Sequence, residues 1–78
     1  MVTVRCFASV REALGLSLCT YALERPMSAE AVLAAVAGER LSTLPTRPLV
    51  AINMQHGRLE SLVHDGDELA FFPPVSGG

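Results

Sequence analysis

The residues best suited to chemistry close the chain: "FFPPVSGG", Phe71 to Gly78. Gly77 and Gly78 carry no side chains, so they can enter a channel too narrow for any other residue. The α-carboxylate of Gly78 is the one carboxylate that no side chain crowds. A carboxylate is inert until it is activated, and adenylation is the usual biological activation. The acyl-adenylate can then pass to a nucleophile. With sulfide as nucleophile AMP leaves and the product is a thiocarboxylate, and with a persulfide the same product follows once a thiol reduces the acyl disulfide; the thiocarboxylate is anionic and soft for the reasons that make thiolates good nucleophiles. A Gly-Gly ending by itself is weak evidence, because many termini are merely loose. The specificity lies in the sequence of parts: a turn, an apolar strand, two prolines, then the glycines.

Other constellations are poorer in chemistry. His56 and His64 both lie beside polar turn residues, and their spacing from Asp65 and Asp67 matches no standard metal-ligand pattern. Asp65, Asp67 and Glu68 bracket Gly66, which is ordinary turn chemistry, and a calcium loop needs more oxygen ligands at longer spacing. No metal is expected. The serines stand in no nucleophile-elbow context. Cys6 and Cys19 have no neighbouring histidine in sequence; they fall in two strands that can pair, which leaves a disulfide open, but buried packing is the ordinary role of such a thiol.

The elements that must position the tail can be read from period. "VTVRCFA", residues 2–8, alternates, with Val2, Val4 and Cys6 on one face and Thr3, Arg5 and Phe7 on the other. Phe7 thus falls on the polar face. "SVREAL" reads as a short helix with Ser9 as its N-cap and Gly15 as its stop. Residues 17–23 read as a second strand of poor alternation, ended by Pro26. Ser28 caps the main helix, "AEAVLAAVA", in which Glu30 suits the first turn and Val32, Leu33 and Val36 form one apolar stripe. Gly38 ends it. "LVAIN", residues 49–53, is apolar enough for an interior strand. Turns are predicted at His56-Gly57 and Asp65-Gly66, and "ELAFF" is the last strand.

In that strand Leu69 and Phe71 share one face, and Ala70 and Phe72 the other. One phenylalanine joins the core and the other lies on the outer face; exposed aromatics on one face, here Phe72 and Phe7, suggest a partner surface. Pro73 and Pro74 have no N–H to give the ladder, and each fixes its own φ. The chain therefore leaves the body stiffly, and residues 73–78 reach on the order of 20 Å when extended.

The order strand, strand, helix, strand, short pieces, strand is an α+β layout: a mixed sheet packed on one main helix. Residues 1–72 are expected to form the domain and residues 73–78 an extended C-terminal tail. The 78 residues, 50% of them hydrophobic, suffice for one core. A domain of this size buries roughly 60% of its unfolded surface, which leaves no room for a large enclosed active site. The net charge is −2, and the six cationic residues are all arginines, scattered along the chain. There is no basic field for nucleic acid, and no lysine for Schiff-base chemistry. No secretory leader and no membrane-spanning apolar run is seen, so a soluble, cytoplasmic protein is expected.

"HDGDELAFFPPVSGG" closely resembles the C-terminus of the molybdopterin synthase small-subunit family, which are ubiquitin-like sulfur carriers. "VRCFASVREALG" resembles that family's N-terminal strand and short helix, and "LVAIN" its central strand. The resemblance is weakest over residues 17–27 and 39–48. It implies a β-grasp (ubiquitin-like) fold. It also implies that an ATP-dependent, E1-like activating enzyme adenylates Gly78, that a sulfur donor converts it to a thiocarboxylate, and that the tail enters the large synthase subunit. There the sulfur passes to cyclic pyranopterin monophosphate in molybdenum cofactor biosynthesis. In that scheme Gly77, Ser76, Val75, Pro74 and Pro73 thread the partner, Phe7 and Phe72 dock on it, and no cofactor is bound, ATP being used by the activating partner. Other readings are a carrier for thiamine or a thiolated nucleoside, a β-grasp docking module without covalent chemistry, and a protein modifier. Thiamine carriers usually lack the double proline.

Overall fold

The computed structural model describes residues 1–74, so Val75, Ser76, Gly77 and Gly78 lie outside the described residues. Strand β1 (Val2–Cys6) is followed by helix α1 (Ala8–Leu14), β2 (Leu18–Tyr21), a two-residue strand β3 (Met27–Ser28) and helix α2 (Ala29–Ala37). A 3-10 helix, Gly38–Thr43, leads to β4 (Leu49–Ile52), β5 (Gln55–Gly57), β6 (Leu62–Val63) and β7 (Glu68–Phe72). The main sheet runs β2-β1-β7-β4-β5, and β3 pairs with β6 in a small second sheet. Among the described residues only β1 and β7 pair in parallel; the other pairs are antiparallel, so the sheet is mixed. This is the α+β arrangement that the sequence predicts.

Alternation divides the sheet into two faces. Val2, Val4, Cys6, Val50, Leu69 and Phe71 are all 2% exposed or less, and they pack with Val10 and Leu14 of α1 and Ala29, Val32 and Leu33 of α2. Ser28 caps α2 as expected, accepting a hydrogen bond from the Ala31 amide at 3.1 Å. Glu30 lies in the first turn of α2, and Gly38 follows its end.

Three local expectations are corrected. Ser9 is not the N-cap of α1, because the helix begins at Ala8 and Phe7 occupies the cap position with extended φ −125° and ψ 152°. The Phe7 carbonyl accepts from the amides of Val10 and Arg11 at 3.1 and 3.3 Å. The helix thus starts where the ladder to β7 stops, and Ala8 takes a left-handed φ of 51° to make the change of direction. The turn expected at His56-Gly57 lies instead at Asn53-Met54, whose φ values are 52° and 68°. Both central residues of a tight hairpin turn of that hand need positive φ, which Asn tolerates. Gly57 serves close approach: a Cβ there would stand 3.0 Å from Ile52 Cδ1. The second strand is shorter than residues 17–23, and the connection after α2 contains the 3-10 helix.

Candidate docking face and tail exit

Strand β7 lies in the middle of the sheet, so its end is a firm root for whatever follows. Phe71 pairs with Cys6 on one side and Val50 on the other and is fully buried. Beyond it Phe7 donates its amide to the Phe71 carbonyl at 3.0 Å. Phe72 faces the other way and pairs with Leu49. Pro73 is half-buried and Pro74 exposed, both past the end of β7. With no N–H on either proline, the ladder ends and the chain leaves the sheet.

The outer face is unusually apolar near this exit. Phe7 is 45% exposed, Leu18 56% and Leu49 39%, around half-buried Ala51, Ala70 and Phe72. Phe7 continues the alternation of β1, which puts it on the face of Arg5, beside the strand that carries Phe72. An Arg5 Nε–Glu68 Oε2 ion pair at 3.0 Å spans β1 and β7 on this side. It is well exposed, so it contributes little to stability. The aromatic contact of Phe72 is with His56: the ring centroids are 6.0 Å apart and the planes meet at 66°. Sequence reading found Phe7 and Phe72 but missed Leu18, Leu49 and His56. The poor alternation of residues 17–23 and the continuous apolar run of β4 hid which side chains face outward.

The remaining chemical groups are separated from this face. His64 and Asp65 lie at the turn before β7, at the end of the sheet remote from the tail exit. Asp67 accepts from the His64 amide at 2.8 Å and from Asn53 Nδ2 at 2.9 Å. These bonds hold its carboxyl below the usual carboxylate range. Among the described residues no cluster of three or more His, Cys, Asp or Glu side chains could hold a metal ion. Cys6 and Cys19 are free thiols, and burial pushes Cys6 up to about 11, so it is a poor nucleophile. An open groove of about 350 Å³ between α2 and the connection to β4 is lined by Leu33, Leu44, Pro48 and Leu59 with Glu30 and Arg47. It contains no histidine, cysteine or serine.

Residues 4–78 match the ThiS family. The chain belongs to the ThiS family. It is 43% identical over the full length of both chains to a protein from Haemophilus influenzae named molybdopterin synthase sulfur carrier subunit. The Escherichia coli protein of that name is 35% identical, again with both chains fully covered. Among solved structures, small archaeal modifier protein 1 of H. volcanii superimposes with a TM-score of 0.76 at 25% identity, over 95% of this chain and 97% of that one. A complex of subunits 1 and 2 of molybdopterin-converting factor from Helicobacter pylori matches with a TM-score of 0.63 over 99% of this chain and 97% of that one. At 23% identity it speaks for the fold alone. With these ThiS-family and modifier-like neighbours, the mixed sheet and its helices are a β-grasp, ubiquitin-like fold. No helix among the described residues is long and apolar enough to cross a membrane.

Proposed function

We propose that this ThiS-family chain is the sulfur carrier subunit of a molybdopterin synthase and that Gly78 is its carrying residue. The observation that supports this best is the 43% identity to the H. influenzae subunit over both whole chains. In this reading an activating enzyme transfers AMP from ATP to the Gly78 carboxylate and releases pyrophosphate. A sulfur donor then displaces AMP: sulfide leaves a thiocarboxylate directly, and a persulfide leaves an acyl disulfide that a thiol reduces to the thiocarboxylate. The tail, Pro73 to Gly78, enters the large synthase subunit and delivers sulfur to cyclic pyranopterin monophosphate. ATP belongs to the activating enzyme, which places the cycle in the cytoplasm, where ATP is at hand.

The parts of the fold support distinct roles in that cycle. Phe71 anchors the tail root in the core. The prolines set its exit direction. Phe7 and Phe72, with Leu18 and Leu49, form the face that docks on the large subunit and on the activating enzyme in turn. Because one face serves both partners, they bind in succession. No side chain of this chain is assigned a step of bond making.

The TM-score of 0.76 to a small archaeal modifier protein favours a second reading, in which the same carboxylate joins a target amine. Deleting Gly78 tests the carrier reading against a docking module. In a reconstituted synthase a carrier loses all molybdopterin formation, whereas unchanged formation would contradict the reading. Supplying the full chain with its activating enzyme, ATP, a sulfur source and cell protein separates carrier from modifier, since a modifier becomes joined to target amines through Gly78 and a carrier gains only the sulfur-for-oxygen mass.

A further inference from the structure

Strand β7 lies between β1 and β4, so the chain that follows Phe72 has a strand to bond on each side. On the β1 side the Thr3 amide donates to the Asp67 carbonyl at 3.0 Å and the Phe7 amide to the Phe71 carbonyl at 3.0 Å. In a parallel ladder the carbonyl of such a residue accepts in turn from the amide two residues beyond the one it donates to. For Phe7 that residue is Pro73, which has no N–H. The Phe7 carbonyl accepts instead from the Val10 and Arg11 amides at 3.1 and 3.3 Å, which occupies both its lone pairs and starts α1. On the β4 side the Asn53 amide donates to the Glu68 carbonyl at 2.8 Å. In an antiparallel ladder bonded pairs recur at every second residue, here Ala51 with Ala70 and Leu49 with Phe72. The register carried on by two residues sets Arg47 opposite Pro74, and Pro74 has no N–H to give.

The two prolines therefore face different strands. Successive residues of a strand turn their N–H groups to opposite sides, so a strand with two neighbours needs one proline per side to end both ladders. We propose that Pro73 and Pro74 are non-equivalent positioning residues: Pro73 denies a rung to β1, Pro74 denies one to β4, and both are needed for the chain beyond Phe72 to reach the activating enzyme unpaired. This rests on the carrier reading above and adds what each missing N–H does. An N–H at position 73 can bond the Phe7 carbonyl, in competition with the first turn of α1. An N–H at position 74 can bond toward Arg47 and leaves α1 untouched. A chain bonded along the sheet must be freed before the activating enzyme can take it. Its KM then rises by the factor the pairing imposes, while kcat, read at saturation, holds.

The test compares the full chain with Pro73→Ala, Pro74→Ala and the double variant. Hydrogen exchange by NMR reads the amide introduced at position 73 or 74, together with those of Val10 and Arg11. Thiocarboxylate formation with the activating enzyme, ATP and sulfide reads KM and kcat. One hydrogen bond of ordinary net strength corresponds to about 2- to 12-fold protection. In Pro73→Ala the new amide is expected to be protected within that range, with the Val10 and Arg11 amides exchanging faster. In Pro74→Ala the new amide is protected and Val10 and Arg11 are unchanged. In each variant KM rises by the same factor as the protection, with kcat within about twofold of the parent, and the double variant shows the largest rise. A further chain, made by semisynthesis with N-methylalanine at position 73, lacks both the N–H and the ring. It should return KM to within about twofold of the parent. Unprotected amides at positions 73 and 74 would overturn the inference. So would an N-methylalanine chain with the KM of Pro73→Ala, which would assign the effect to the ring. If the unmodified chain gains no sulfur the carrier reading falls, and the exchange rates alone decide which ladder each proline blocks.

Discussion

The amide of Phe7 donates to the carbonyl of Phe71 at 3.0 Å, across the parallel seam of β1 and β7. This one bond joins the end of β1 to the end of β7. It closes the ladder one residue before Phe72 and commits Phe7 to the start of α1. The two neighbouring phenylalanines of β7 then separate by role, Phe71 inward and Phe72 outward.

Phe71→Ala should therefore lower the unfolding free energy by about 3–5 kcal/mol, the range for emptying a buried phenylalanine site. Phe72→Ala should cost far less in stability, since the ring is only half-buried. Chemical denaturation of the two variants checks this. Equal losses would contradict the assignment of faces.

The left-handed Ala8 is a second consequence of that junction. A β-branched residue tolerates φ of 51° worse than alanine does, whereas glycine adopts it freely. Ala8→Val should destabilise by more than about 1 kcal/mol. Ala8→Gly should stay within about 1 kcal/mol of the parent, because strain relief offsets the added freedom of the unfolded chain. Paired denaturation curves read both.

Asp67 links the turn before β7 to the Asn53-Met54 hairpin. Its first cause of depression is the His64 amide, and the second is the Asn53 side chain. A folded carboxyl held below its unfolded range adds stability at higher pH, and that contribution disappears as pH falls through the folded value. Asp67→Asn should therefore lower stability slightly at neutral and alkaline pH and flatten the acid side of the profile, so that variant and parent converge at low pH. The group is largely solvated, so the effect is small. An unaltered acid limb in denaturation curves would count against the network.

Cys6 gives the opposite pH signature. Burial comes first and the nearby Cys19 second in raising its thiol from 9.0 to about 11. The folded state then holds the proton more tightly than the unfolded state does. Stability is fully present below the ordinary thiol range and lost as pH rises toward about 11. Cys6→Ala should remove that alkaline loss. Native Cys6 should also react with a thiol reagent only at the rate of opening, so fast labelling at neutral pH would overturn its burial.

Much of this was legible in the residues. Strand β7 was read with its observed bounds because five alternating residues lie between the Asp65-Gly66 turn and two prolines. Ser28 was found because its cap is a local interaction that needs no tertiary context. Ser9 failed as a cap because a long-range bond, Phe7 to Phe71, decides where α1 begins. Gly57 misled because glycine marks close packing as readily as it marks turns; here it makes room for Ile52. That error placed His56 in a turn and concealed its contact with Phe72. Strands β3 and β6 are two residues each, too short to show a period. Leu18 and Leu49 went unread as surface residues because facing is set by register, which pairs Leu49 with Phe72 and Arg5 with Leu18.

The most direct measurement is the intact mass of the full chain after incubation with its activating enzyme, ATP and a sulfur source, with fragment masses to locate any change. A sulfur carrier gains the difference between sulfur and oxygen, mapped to Gly78, and loses it again when the large subunit and pyranopterin are added. An unchanged mass, with the activating enzyme shown to be competent, would contradict the carrier function.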